Sequence, residues 1–252
     1  MKKIITIARL IAIALCAVLA AALLCGCVTV DFSSLARGGL TGSGSRETYS
    51  FSVGQVTDIK VELYCNVEYY SAPSDTVTLE IQPNLREYVS VEESGGVLTV
   101  RTTRKINWTG KAPVLTVGSS VLSSVTITGA GDFTAHDTIK ADSFKLRMDG
   151  AGTGVAEVDV GNLSVNLAGA GSFTLSGKAD SADFVLAGAG DVEALPLQTR
   201  DAVINLSGVG TVRLSCSDSL NISAGGLGTV EYIGSPSINM NRGGLVSISK
   251  VG

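Results

Sequence analysis

Apolar residues fall at alternate positions along most of this chain, and in its second half the alternation restarts at near-constant intervals. A Gly-x-Gly element marks each restart. Its first glycine stands at Gly129, Gly150, Gly169, Gly188, Gly208 and Gly226, and a degenerate seventh copy begins at Gly244, where Val246 replaces the second glycine. The intervals are 21, 19, 19, 20, 18 and 18 residues. Four residues upstream of the first glycine lie Val125, Leu146, Val165, Phe184, Ile204, Ile222 and Met240, all apolar. Two upstream lie Ile127, Met148, Leu167, Leu186, Leu206, Ala224 and Arg242; four downstream lie Phe133, Gly154, Phe173, Val192, Val212, Val230 and Ile248. Between the glycines stand Ala130, Ala151, Ala170, Ala189, Val209, Leu227 and Leu245. Positions two apart share one face of a strand, so this spacing predicts β structure and not helix.

A unit of about 19 residues is too short to bury its own apolar face, whereas stacked copies share a continuous core. The pattern therefore predicts an all-β, β-helix-like solenoid of about seven rungs over residues 119–252. The glycines would mark corners where φ is positive or a backbone approaches closely. A propeller would need about twice this repeat length. Residues 47–118 are strand-like without the repeat, with runs at 59–63, 77–81, 89–91, 97–100 and 114–117 separated by turn-forming segments such as Ala72-Pro73-Ser74-Asp75. This region is expected to cap or begin the stack.

The N-terminus has a different pattern. Lys2, Lys3 and Arg9 precede the uncharged 15-residue run Leu10 to Leu24, short of the roughly 20 residues that a spanning helix needs, so residues 1–26 read as a signal peptide. Leu24-Cys25-Gly26-Cys27 resembles a bacterial lipobox, with Cys27 as the lipidated residue. Cleavage near Ala20-Ala21-Ala22 and an uncleaved anchor are the alternatives, and all three export the body. Residues 27–46 would be the lipid anchor and a flexible tether, since residues 33–46 are rich in Gly and Ser.

Loss of residues 1–26 removes three cations and no acid, moving the formal net charge from −4 to −7. Nucleic acid is thereby excluded as a partner, and anionic headgroups are poor partners for the body as a whole. The 30 glycines and one histidine, His136, exclude chemistry that depends on several histidines. Of the five cysteines, Cys65 and Cys216 remain in the body, read as separate buried thiols, with a disulfide permitted by an oxidising exterior.

Candidate chemistry is sparse. After the second glycine stand Asp132, Thr153, Ser172, Asp191, Thr211 and Thr229. Asp132 and Asp191 would lie about 14 Å apart at a rung spacing of about 4.8 Å, beyond the reach of paired glycosidase carboxylates. The glycine-rich segments lack the acids of calcium-binding nonapeptides and the Lys-Ser/Thr and helix of phosphate loops. No catalytic residue, metal or cofactor is expected. His136-Asp137 reads as a surface turn. Among the aromatics Tyr64, Tyr69, Tyr70, Tyr88 and Trp108, the possible ligand contacts are Tyr69, Tyr70 and Trp108, because a ring face can stack on a sugar. Tyr69 and Tyr70 are adjacent in a strand and must face opposite sides.

The order Ile59-Lys60-Val61-Glu62-Leu63, Val77-Thr78-Leu79-Glu80, Gly96-Val97-Leu98-Thr99-Val100, then Val125 to Asp132 and repeating Gly-Ala-Gly resembles the bacterial head GIN domain family over roughly residues 50–250. That resemblance implies an all-β stack, an envelope location and a role in adhesion, and it transfers no site residue. The expected protein is a surface lipoprotein without catalysis, a binding or adhesion module. Its partners would be the membrane, through its lipid, and a glycan or an envelope or surface protein. An envelope structural or stress-sensing module is the alternative, ahead of a polysaccharide-active enzyme.

Overall fold

A computed structural model describes residues 39–251. The predicted signal peptide, Cys27 and the tether up to residue 38 lie outside the described residues. The described strands are β1 (Leu40–Thr41), β2 (Glu47–Phe51), β3 (Asp58–Val61), β4 (Asn66–Ser71), β5 (Thr76–Ile81), β6 (Val89–Ser94), β7 (Val97–Thr102), β8 (Ile106–Asn107) and β9 (Val114–Ser119). The repeats supply β10 (Ser124–Ile127), β11 (Phe133–Ala135), β12 (Ile139–Met148), β13 (Ala151–Leu167), β14 (Ala170–Leu186), β15 (Ala189–Leu206), β16 (Val209–Ala224), β17 (Leu227–Ile233), β18 (Ser237–Arg242) and β19 (Leu245–Lys250). One short helix, α1 (Pro83–Arg86), interrupts them.

The repeats stack in parallel, one copy per rung, as a β-solenoid. Ala151 pairs with Ala170, Ala170 with Ala189, Ala189 with Val209, Val209 with Leu227 and Leu227 with Leu245, so the sequence columns are spatial columns. Val125, Leu146, Val165, Phe184, Ile204 and Ile222 are buried, as are Ile127, Met148, Leu167, Leu186, Leu206 and Ala224. Gly154 interrupts the third column between Phe133 and Phe173. A Cβ there would meet the Phe173 ring at 2.5 and 2.7 Å, so the large side chain of one rung fills the space left by the glycine of the last.

The Gly-x-Gly corners make the stacking possible. A Cβ at Gly150, Gly169, Gly188, Gly208 or Gly226 would overlap the carbonyl oxygen of the equivalent glycine one rung earlier. The second glycines combine the same close approach with positive φ, +149° at Gly190 for instance. At this distance the corner peptides hydrogen-bond between rungs: the N–H of Ala170, Ala189, Val209 and Leu227 each donates to a glycine carbonyl of the previous rung at 2.9 Å. The residue between the glycines points out, building a narrow apolar ridge that enlarges from Ala151 to Leu245, which is 80% exposed.

Variation in repeat length is absorbed elsewhere. The 20-residue copy carries an extra residue between Glu193 and Leu197, opposite Thr174 to Gly177, and the bulge accommodates Pro196, which has no N–H for the ladder.

The two ends differ. At the N-terminal end the parallel ladder already includes residues 58–71 and 97–119, since β3 pairs with β10 and β7, and β4 pairs with β11 and β9. The antiparallel strands β2, β5 and β6 follow on the outer side. The N-terminal region thus begins the stack and caps it. Leu85 of α1 is buried, and the Arg86 guanidinium lies 4.7 Å from the centre of the Phe51 ring. The position counted as tether at Leu40–Thr41 is instead strand β1, paired with β8. In the last described rung, Arg242 follows Ala224 and Lys250 follows Tyr232 in columns that are apolar elsewhere. Both are exposed. Cations on the core face oppose addition of another strand, because stacking would strip their water.

These contacts predict the cost of filling a corner. Gly190→Ala should destabilise the domain by about 3 kcal/mol or more, from steric overlap together with positive φ. Gly225→Ala, where nothing lies within 4 Å of the new Cβ, should change stability little. Urea unfolding of the two variants beside the parent checks this.

Candidate functional site

The second corner of each rung leaves the ladder without a repeated glycine pair. Asp142, Gly161, Asp180 and Arg200 drop out of register while their neighbours on both sides remain paired. Such a break frees backbone and side chains to face solvent. A groove of about 1040 Å³ follows this corner across the rungs, lined by Asp142, Asp159, Lys178, Asp180, Arg200 and Cys216 among others. Beside it a smaller trough of about 420 Å³ runs between outward columns of small polar side chains, including Ser143, Asn162 and Ser181 on one side and Ser164, Asp183 and Asn221 on the other. Asp142 and Ser143, like Asp180 and Ser181, are chain neighbours that carry one polar surface from the groove to the trough.

Two ion pairs lie at the groove. Lys178 lies 3.3 Å from Asp159, and Arg200 lies 3.3 Å from Asp218. The Ser217 hydroxyl, donating at 2.6 Å, and the Arg200 guanidinium hold the Asp218 carboxyl below its ordinary range. In the trough, Ser181 donates to Asn162 at 2.8 Å and Ser219 donates to Asp201. Partial burial raises the Asp183 carboxyl above its usual value, opposed by a hydrogen bond from Asn205. The surface is rich in hydroxyls, amides and exposed ion pairs, which suits hydrogen bonding to a polar ligand more than bond-breaking chemistry.

The two acids of the glycine corners have other work. Asp132 Oδ1 accepts from the Thr153 N–H at 2.8 Å and from its hydroxyl at 2.6 Å, and Asp191 Oδ1 accepts from the Thr211 N–H at 2.9 Å. Each carboxylate ties its rung to the next. Among the described residues no group of three or more His, Cys, Asp or Glu side chains is placed to hold a metal ion.

Strand β4 sends Tyr69 inward and Tyr70 outward. Tyr69 is 2% exposed and its hydroxyl donates to the Ser119 carbonyl at 2.9 Å, so it offers no ring face to a ligand. Tyr70 stacks on His136, with ring centroids 4.4 Å apart and planes 7° apart; Glu68 lies 3.9 Å from the imidazole. Trp108 is half-buried and tilts against Tyr64 at 6.1 Å. The three candidate aromatics therefore form no common platform: one is in the core, and the other two belong to separate pairs at opposite ends of β4. The one aromatic lining the polar second-corner surface, Phe144, is buried in the core, and the surface residues have no motif by which sequence reasoning would have found them.

Cys65 and Cys216 are both buried free thiols. Burial pushes the Cys65 thiol up to about 12 and raises that of Cys216, leaving both protonated and weakly nucleophilic near neutral pH.

The family model described as putative auto-transporter adhesin, head GIN domain, matches residues 55–236. No curated protein matches the chain. Among solved structures, a putative adhesin from Bacteroides fragilis superposes with a TM-score of 0.80 at 21% identity, covering 84% of this chain and 100% of that one. A putative lipid binding protein from Parabacteroides distasonis gives 0.68 at 22% identity over 85% and 100% of the two chains. A putative adhesin from Parabacteroides merdae gives 0.64 at 20% over 85% and 99%. At these identities the likeness establishes the fold.

The buried thiols and Tyr69, whose hydroxyl burial also raises, predict an alkaline weakness. Above pH 9.0, the ordinary thiol value, the unfolded chain releases protons that the folded chain retains, so stability should fall as pH rises toward 12. Cys65→Ala should flatten that fall, measured as the urea midpoint against pH; an unchanged slope would remove Cys65 as a cause.

Proposed function

The chain belongs to the family described as putative auto-transporter adhesin, head GIN domain, and on that premise we propose that it is an exported, lipid-anchored, non-catalytic module that binds an extended glycan along its second-corner groove. The observation that carries this reading is the groove itself, which crosses successive rungs and opens on a trough of serine, asparagine and aspartate side chains. A ligand lying parallel to the solenoid axis meets a small polar side chain at each rung in the column Ser143, Asn162, Ser181 and Asp201, about 4.8 Å apart. Hydroxyls and amides can exchange hydrogen bonds with sugar hydroxyls in both directions, and the Lys178 and Arg200 side chains add charge-assisted donors. Engagement of Asp132 and Asp191 with backbone amides supports binding in place of hydrolysis.

Anchoring rests on the Leu24-Cys25-Gly26-Cys27 motif and the charged, then apolar, leader before it. Attachment at Cys27 would hold the domain at the outer face of a membrane.

Two measurements test the proposal. Cys27→Ala should move the chain from the membrane fraction to the soluble fraction. On arrays of bacterial and host glycans, the full chain should bind a polymeric glycan, and Lys178→Ala or Arg200→Ala should each weaken binding by about tenfold, the loss of one charge-assisted hydrogen bond. Absence of binding to any glycan, or binding unchanged in both variants, would contradict the assignment of the groove.

A further inference from the structure

The charge of the domain is unevenly placed. Although the body is acidic, residues 94–131 contain Arg101, Arg104, Lys105 and Lys111 and no aspartate or glutamate. Arg101 is paired with Glu92 at 3.2 Å. Arg104 lies 5.6 Å from the centre of the Tyr88 ring, while Lys105 and Lys111 are exposed and take part in no salt bridge among the described residues. The acids nearest Lys111 in the surface depression it lines are Glu80 and Asp132. Glu80 faces Arg46 at 3.5 Å, and Asp132 is held by Thr153. Trp108 sits between the two lysines in sequence, its indole half-buried against Tyr64.

The chain joins the folded domain at this same place. Leu40 pairs with Ile106 and Thr41 with Asn107, and the Leu40 N–H donates to the Lys105 carbonyl at 3.1 Å. Cys27 precedes Leu40 by 13 residues. A fully extended chain of that length spans about 45 Å, and a flexible one averages about 20 Å. A membrane attachment at Cys27 therefore keeps the loop around Trp108 within reach of the bilayer surface.

We propose that residues 103–112 form a membrane-docking loop, with Lys105 and Lys111 meeting the phosphates of anionic phospholipid headgroups and Trp108 lying at the interface. The inference rests on the anchoring reading above and adds an orientation to it. An anionic surface attracts this loop and repels the acidic remainder, so the solenoid stands away from the bilayer with its second-corner groove clear. Lysine supplies the compact charge, and the amphipathic indole suits the headgroup level.

Trp108 is the single tryptophan of the chain, so tryptophan emission of the full-length protein, excited where tyrosine does not absorb, reports on this loop alone. The full chain is reconstituted into vesicles of phosphatidylcholine, with or without phosphatidylglycerol, and exposed to bromine-labelled lipid. With phosphatidylglycerol the emission should shift to the blue and be quenched, and both effects should fade in high salt. Lys105→Gln and Lys111→Gln should each lower the ratio of docked to undocked loop about fivefold, while Lys140→Gln, on the repeats, should leave it unchanged. A chain that floats with the vesicles but keeps an unquenched Trp108 overturns the docking loop and leaves the anchor standing. A chain that does not float overturns the anchor and the docking loop together.

Discussion

The solenoid depends on contact between peptide planes at the glycine corners. In the straight segments, neighbouring rungs are separated by the ordinary strand spacing, with side chains directed into the core or out to water. At the corner the chain turns while remaining within hydrogen-bond reach of the rung before it. The Ala189 N–H reaches the Gly169 carbonyl at 2.9 Å and the Val209 N–H reaches that of Gly188 at the same distance. No Cβ fits between planes so close. Glycine at the first position of each corner is thus a condition of uninterrupted pairing, which would otherwise leave several backbone groups per rung without partners. Once those corners are fixed, the columns on either side are fixed with them: Val165 over Leu146, Leu186 over Leu167, and Asp132 opposite Thr153.

That constraint also explains where the molecule is free to vary. The first corner has no room for insertion, so the extra residue of the 20-residue copy and the skipped positions at Asp142, Asp180 and Arg200 collect on the far side of the rung. Side chains released from the ladder at those positions line the groove. The proposed binding surface is the place where the repeat tolerates difference, as loops are on other scaffolds. The two ends diverge for a related reason. A parallel stack has no internal way to close its edges; here antiparallel strands and α1 close one end, and Arg242 and Lys250 occupy apolar columns at the other.

The core and the first corner were legible in the sequence because each recurs: apolar residues at fixed offsets from a glycine pair are visible without any knowledge of contacts. The second corner was not, since Asp142, Gly161, Asp180 and Arg200 share neither chemistry nor size, and only the register shows that they occupy one column. Alternation required that one of Tyr69 and Tyr70 face outward, but which one depends on the core that β4 covers. Strand β1 was hidden for a different reason: its partner, Ile106, lies 66 positions away, and a Gly/Ser-rich composition reads as a tether wherever no partner is visible. The cationic segment was lost in the average, because net charge sums over the whole chain and hides the stretch 94–131, which holds four cations and no acid.

Hydrogen exchange at the corner amides is the most direct test of this account. The account predicts that the N–H groups of Ala170, Ala189, Val209 and Leu227 exchange as slowly as those of buried mid-strand residues such as Leu186, opening only when the whole stack unfolds. Exchange of these four amides at the rate of an exposed loop, with the strands between them still protected, would contradict it: the glycines would then be flexible connections and not the contacts on which the rungs are built.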